Sequence, residues 1–404
     1  MKKLVKNSVI YLGTEILNKA IPFLLIPIIT RYLTPTEYGF YGIYQVLLSF
    51  LAPFISMNLQ NNITRNFFKV SHEKLSKIIS SVILILHINV FVGFVVIYLI
   101  SLVFQNPFGI NQQFLYIMPI IIYSQMINSF NLTILRNKEK AFEYGVVQIT
   151  ITIINFSATL LLLISYHQGW ESLIYSLLLG NVVVMVYSFY SLYSEYKLGF
   201  YFSSISEILK ISIPLVFHLL GGSIIFLSDR VFIQYLEGLK EVGIYSIGSQ
   251  FGMITMIVIN AIIMAISPWI YKQLSNNINI YKKLYIFMGL FVVLGIVLWL
   301  ASLAIIPYMV DQRYILATDL IFWISLAFIF RGWYQLFFNV IVHYGKTGIF
   351  IYITFGSAIL NMILNYYLIK LNGMVGAAQA TAVAFFMMFI STKIYLTRIK
   401  QGIT

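Results

Sequence analysis

Residues 37–45 read EYGFYGIYQ and residues 241–250 read EVGIYSIGSQ. Both carry Glu-x-Gly-x-Tyr, once at Glu37, Gly39 and Tyr41 and again at Glu241, Gly243 and Tyr245, an offset of 204 in a chain of 404 residues. Each copy opens an apolar run, so the motif marks the same helix start in two halves. Working outward by charged and Gly/Pro/Asn punctuation gives twelve such runs, at about 8–30, 38–58, 78–104, 113–135, 145–166, 173–194, 211–233, 242–270, 284–306, 315–341, 349–369 and 376–396. The second motif copy opens the eighth run and the first opens the second, so six helices are repeated. Six is even, so both halves run the same way through the membrane, related by an axis along its normal.

Composition agrees with this reading. Hydrophobic residues make up 60% of the chain and charged residues 10%, with no Cys, and the mean hydropathy is +0.88. A soluble domain carries about a quarter charged residues, so the composition excludes an ordinary cytosolic enzyme, a disordered chain and a nucleic-acid-binding domain. Absence of Cys removes disulfides, thiol nucleophiles and Cys-ligated metals. The net charge of +13 then becomes a question of sidedness. With the N-terminus in the cytoplasm, nineteen of the 26 Lys and Arg fall on the inner side, four (Arg31, Lys240, Arg313, Lys370) on the outer side and three (Lys19, Arg230, Arg331) within helices. That bias predicts cytoplasmic termini. The first run is interrupted by Glu15, Asn18 and Lys19 and lacks a small-residue cleavage site, which reads as a retained helix rather than a signal peptide. The expected architecture is therefore an all-α integral membrane protein of twelve transmembrane helices. The longest inner connection, Glu195 to Lys210, predicts a division into an N-terminal lobe (1–200, helices 1–6) and a C-terminal lobe (201–404, helices 7–12).

Ionisable groups inside the hydrocarbon are the informative ones, since each is disfavoured by about 2.5–3.5 kcal/mol near the bilayer centre. Glu15 and Lys19 are spaced i, i+4 and share a helix face, with Lys19 roughly 17 Å into the membrane. They read either as a self-neutralising pair or as a cavity-lining site for an anion or a proton. His218 and Asp229 are eleven residues apart, nearly on one face, and Arg230 follows. Arg230 reads as a cavity cation or as a side chain snorkelling to headgroups, and His218 as a packing histidine or a proton switch. Arg331 lies too deep to snorkel, which favours a cavity-facing role. His87 is a lone midplane histidine, read as packing. Metal-type His spacing, a nucleophile elbow and a phosphate loop are all missing from the sequence; Tyr344-Gly345-Lys346-Thr347-Gly348 lacks the preceding glycine of the last. No metal, cofactor or catalytic residue is therefore expected, and ATP is not the direct energy source within this chain.

Further residues carry a resemblance. Residues 30–39, TRYLTPTEYG, after a helix containing Asn7-Ser8, together with Arg65-Asn66-Phe67-Phe68, resemble the bacterial polysaccharide-repeat-unit (O-antigen type) flippases of the multidrug/oligosaccharidyl-lipid/polysaccharide exporter superfamily. Gly345-Lys346-Thr347, Asn361 and Asn365 in LNMILNYYLI, then Gly373, Gly376-Ala377-Ala378 and Thr381, are similar to that family's closing pattern. The resemblance spans the chain. It implies two six-helix lobes around a central cavity that opens alternately to either side of the bacterial cytoplasmic membrane. The substrate it implies is an oligosaccharide on a polyprenyl diphosphate, with a polysaccharide polymerase and chain-length proteins as candidate partners beside the membrane lipids. For a diphosphate-linked head the candidate cavity cations are Lys19, Arg331 and Arg230, with Arg31 and Arg65 from the family pattern or else as structural anchors. Coupling to a proton or sodium gradient would fall to Glu15, Asp229 or His218, and the reading centres it on Glu15; movement pulled by polymerisation needs no coupling. The rival functions are a cation-coupled drug exporter, disfavoured by the slightly basic intramembrane balance, and a membrane glycan polymerase, disfavoured by the short outer loops.

Overall fold

A chain with this hydropathy has one way to satisfy its backbone without a closed barrel, which is to hydrogen-bond each N–H within its own helix. The computed structural model describes residues 2–104, 106–202, 204–276, 278–346 and 348–401, and among them there is no strand. Fourteen α-helices follow in order: α1 (Lys2–Leu24), α2 (Ile26–Tyr32), α3 (Pro35–Ser56), α4 (Gln60–Phe67), α5 (His72–Val103), α6 (Gln112–Asn137), α7 (Ala141–Leu160), α8 (Glu171–Tyr196), α9 (Ile205–Leu236), α10 (Leu239–Ser275), α11 (Tyr281–Met309), α12 (Thr318–His343), α13 (Ile349–Asn372) and α14 (Met374–Lys400). Twelve segments are long and apolar enough to cross a membrane, and each overlaps one of the runs read from sequence. The first crossing joins α1 and α2 through a break at Leu25, between Pro22 and Pro27, because a proline ring removes a ladder donor and crowds the preceding turn. α5 begins at His72, earlier than its apolar run, because the Ser71 hydroxyl accepts from the Lys74 N–H and caps the helix.

Two compact units emerge, one of residues 1–32 and 43–220, the other of residues 33–42 and 221–404. Their boundary lies at 220/221, inside α9, where the sequence reading puts it at 200/201, and a ten-residue segment from the first half belongs to the second unit.

In the first unit α6 packs on α8, α5 and α4, and α7 packs on α1 and α8. α6 is the most enclosed of the twelve crossings, with 67% of its central window buried, and its Ser124, Asn128, Asn131 and Thr133 are buried in protein. α4 escaped the sequence reading. Met57 and Asn58 both adopt left-handed backbone, φ 44° and 51°, which ends α3 sharply and turns α4 onto α6. A buried bond from the Asn62 amide to Ser212 Oγ, 3.0 Å, ties α4 to α9 as well.

In the second unit α12 packs on α10 and α14, and α14 on α13. Association in lipid relies on close backbone approach, and Ala377, Ala378, Ala380 and Ala384 of α14 are fully buried. The repeated motif explains the segment that crosses over. A Cβ on Gly39 would lie 1.9 Å from the Leu239 carbonyl oxygen, and one on Gly243 would lie 1.8 Å from the Pro35 carbonyl oxygen and 3.1 Å from Gly39 N. The two copies of Glu-x-Gly-x-Tyr therefore pack on each other, backbone to backbone. Around them Gln250 donates to Tyr38 Oη, Tyr314 Oη donates to the Leu33 carbonyl at 3.1 Å, and Tyr38 meets Tyr314 edge to face at 6.4 Å.

Gly243→Ala is expected to force the two helix starts apart and to destabilise the protein by about 1–3 kcal/mol, lowering the thermal unfolding midpoint in detergent. Gly289→Ala, on α11 with nothing within 4 Å of the new Cβ, should leave the midpoint unchanged or raise it.

Candidate functional site

The second unit holds a buried carboxylate. Asp229 of α9 is 2% exposed and sits among polar side chains from three other helices. Its Oδ2 accepts from Tyr245 Oη of α10 at 2.5 Å and from Thr381 Oγ1 of α14 at 2.8 Å. Its Oδ1 accepts from the Asn365 amide of α13 at 2.8 Å. The same amide reaches Asn361 Oδ1 at 3.2 Å, which also accepts from Ser228 Oγ at 3.2 Å, while Asn361 donates to Thr381 Oγ1 at 3.3 Å. A carboxylate taken from water needs such donors on every side to persist. Arg230 follows directly in the chain. It is buried, donates from Nε to Ser246 Oγ at 3.1 Å and lies 5.6 Å from the Tyr245 ring centre. Arg230 is thus folded into the unit rather than snorkelling.

What this arrangement can do follows from its atoms. It offers one negative charge, neutral hydroxyls and amide carbonyls, and Asn365 Oδ1 is buried with no protein donor. Hard oxygen donors of that count and charge suit a proton or a small monovalent cation; they offer no soft ligand for a transition metal. Among the described residues no three His, Cys, Asp or Glu side chains gather as a metal site.

The other singled-out residues are distributed as follows. Glu15 and Lys19 of α1 are both exposed. They share a face, yet among the described residues they form no ion pair; Glu15 instead accepts from Tyr144 Oη of α7 at 3.4 Å, and Tyr144 meets Tyr11 edge to face at 5.1 Å. Arg31 and Arg65 are exposed, in the last turns of α2 and α4. Arg331 of α12 is half-buried and donates from Nη1 to Asn260 Oδ1 of α10 at 3.3 Å. Lys19, Arg31 and Arg65 thus belong to the first unit, Arg230 and Arg331 to the second. The His218 side chain lies outside the described residues. His87 bonds the Ile83 carbonyl at 2.8 Å and Tyr123 Oη at 2.9 Å, the tied arrangement of a packing histidine. Sequence reasoning found Asp229 through its charge and gave no role to Tyr245, Asn361, Asn365 or Thr381, although the last three stand in the closing pattern quoted above.

Twelve helical segments long and apolar enough to cross a membrane define a multi-pass membrane protein. The chain belongs to the polysaccharide biosynthesis protein family, whose model matches residues 4–274; the MatE family model matches residues 214–367. It is 24% identical over 356 residues to the Lsg locus putative protein 1 of Haemophilus influenzae, covering 85% of this chain and 86% of that one. An uncharacterized membrane protein of the same organism is 26% identical over 293 residues, covering 68% and 67%. Among solved structures, lipid II flippase MurJ in an inward closed conformation superposes with a TM-score of 0.77 at 15% identity, covering 97% of this chain and 87% of that one. An inward-facing multidrug resistance MATE family transporter of the MOP superfamily gives 0.73 at 14% identity, covering 95% and 96%. These structural likenesses establish the twelve-helix fold.

Asp229→Ala should strip Tyr245, Asn365 and Thr381 of their common acceptor and cost about 1–3 kcal/mol per buried group left unpaired, a large fall in thermal stability. Asp229→Asn keeps the shape and one acceptor oxygen and is expected to lower the unfolding midpoint by much less.

Proposed function

We propose that the protein is a flippase that carries a polyprenyl-diphosphate-linked oligosaccharide from the inner to the outer leaflet of the bacterial cytoplasmic membrane, for assembly of a cell-surface polysaccharide. The observation that carries this reading is the polysaccharide biosynthesis match over residues 4–274 on a membrane-transporter fold. The charge bias along the chain supports cytoplasmic termini. The solved structures of like fold, a flippase and a transporter, favour transport over an enzyme, and short loops between the spans leave little room for an extramembrane catalytic domain. Alternating access moves the hydrophilic head while the prenyl chain stays in lipid, and of the candidate cations the exposed Lys19, Arg31 and Arg65 and the half-buried Arg331 are better placed to meet a diphosphate than the buried Arg230.

Uphill or directional movement requires a ligand that binds the two conformations unequally. Asp229 is the group best placed for this role, in preference to the exposed Glu15, because binding or release of a proton or sodium ion changes the charge of a site whose partners come from three other helices. A second reading, a cation-coupled drug exporter, is favoured by the MatE match over residues 214–367.

One experiment separates the two. Deleting the gene is expected to accumulate complete single lipid-linked oligosaccharide units confined to the inner leaflet, with no new sensitivity to cationic drugs. Asp229→Asn, restored at normal abundance, should reproduce the accumulation, and Glu15→Gln should not. Unchanged lipid-linked glycan together with drug sensitivity would transfer the assignment to the exporter, and unpolymerised units in the outer leaflet would point to a polymerase.

A further inference from the structure

A second polar feature lies wholly inside the first unit and takes no part in the network around Asp229. A pocket of about 550 Å³ opens between α4, α6, α7 and α8. Six amide side chains line it: Gln60, Asn61, Gln125, Asn128, Gln148 and Asn181. Hydroxyls of Ser129, Thr133 and Tyr144 add to these, and Arg136 is the one charged residue in the lining. On α6 the lining positions are 125, 128, 129, 132, 133 and 136, a stripe at helical spacing on one face. At 1.5 Å per residue it runs about 16 Å, from Gln125 to Arg136 in the last turn.

Such a lining is costly in a helix bundle unless something uses it. Part of it is not used by the protein. Asn128 is 2% exposed; its amide donates to the Asn181 carbonyl at 3.0 Å, but its Oδ1 accepts nothing, and neither does the buried Gln60 Oε1. Buried carbonyl oxygens left so are exceptional in folded proteins. Arg136 is exposed and forms no ion pair among the described residues, although Lys138 two residues on is paired with Glu195. The pocket therefore combines amide acceptors and donors along its length, the Tyr144 ring on one wall and an unneutralised guanidinium at one end. Drug-like organic cations would meet the wrong charge, and a lipid chain the wrong polarity. A polyhydroxylated ring fits, because each hydroxyl both donates and accepts, which is what side-chain amides require, and an anionic group suits the guanidinium fork.

We infer that this pocket is a saccharide-binding site of the first unit, in which the amide stripe of α6 holds sugar hydroxyls and Arg136 holds one anionic group, a carboxylate or a phosphate, carried by the sugar. The inference rests on the flippase reading for its biological meaning and adds a place where the glycan head, rather than its lipid, is recognised. Arg136 lies where the charge bias puts the cytoplasmic surface, the side from which a newly assembled head enters.

The test uses the full-length protein in lipid nanodiscs free of glycosidic detergent, with three probes titrated by calorimetry: cellobiose, cellobiouronic acid and glucose 1-phosphate. At least one anionic probe should bind tenfold or more tighter than cellobiose. Arg136→Ala, an exposed position expected to fold normally, should abolish that preference, whereas Gln148→Ala should weaken all three. A response to the uronate alone assigns the anion to an acidic sugar of the glycan; a response to the phosphate alone assigns it to the phosphate that links the sugar to its lipid. Equal binding of the three probes, or a preference that survives Arg136→Ala, overturns the inference. The two proposals fail separately. If gene deletion accumulates inner-leaflet lipid-linked units while Arg136→Ala and Gln148→Ala bind and flip as wild type, the pocket assignment alone falls. If deletion accumulates nothing, the flippase reading falls and the binding result stands.

Discussion

Hydrocarbon cannot hydrogen-bond, and nearly every feature of this protein answers to that constraint. It makes the chain helical from α1 to α14, because a peptide group without an internal partner has no solvent to turn to. It restricts charge to 10% of residues, and it requires each buried polar side chain to find partners within the protein. The Asp229 network meets the requirement with donors from α10, α13 and α14. Gathering four helices around one carboxylate also fixes their mutual register, since any one of them sliding by a turn would leave a polar group stranded. Chemistry and architecture are therefore joined at that point: the same bonds that make a charged side chain tolerable make the packing of its helices specific.

The pocket of the first unit handles the constraint differently. There the amides outnumber their internal partners, and Asn128 Oδ1 and Gln60 Oε1 are left over. The two units thus contain contrasting polar interiors, one nearly closed on itself and centred on an anion, the other open-handed and carrying a cation. Lipid association by small residues, as along α14, needs neither.

Much of the fold was legible in the sequence because hydropathy is a long-range, additive signal: a run of some twenty apolar residues survives any local uncertainty. Departures came where a few atoms decide. Met57 and Asn58 hold left-handed backbone that no composition window registers, so α4, only eight residues long, leaves no hydropathy signal although Arg65 to Phe68 stand in a recognisable motif. The Ser71 cap moved the start of α5, and the pairing of Gly39 with the start of α10 moved part of α3 into the second unit. For the site, Asp229 was visible because a carboxylate in an apolar helix is rare. Asn361, Asn365 and Thr381 were not, because an amide or hydroxyl costs little enough to be common. The stripe from Gln125 to Arg136 carries a readable signal, a polar periodicity of 3.6 inside an apolar segment, but its amides and hydroxyls are neutral and do not stand out as the ionisable side chains do. The i, i+4 spacing of Glu15 and Lys19 allows a pair or a cavity-lining site; among the described residues the pair does not form, and Tyr144 of α7 offers Glu15 a partner that no single-helix argument contains.

The contact between the two Glu-x-Gly-x-Tyr copies bears on how such a chain can change over generations. In a duplicated protein the halves are ordinarily free to diverge, each position judged by its own surroundings. Here Gly39 and Gly243 are each other's surroundings: a side chain at either would strike the backbone that carries the other. Drift in one copy is therefore policed by its twin, and the pair behaves as a single heritable unit split across 204 residues.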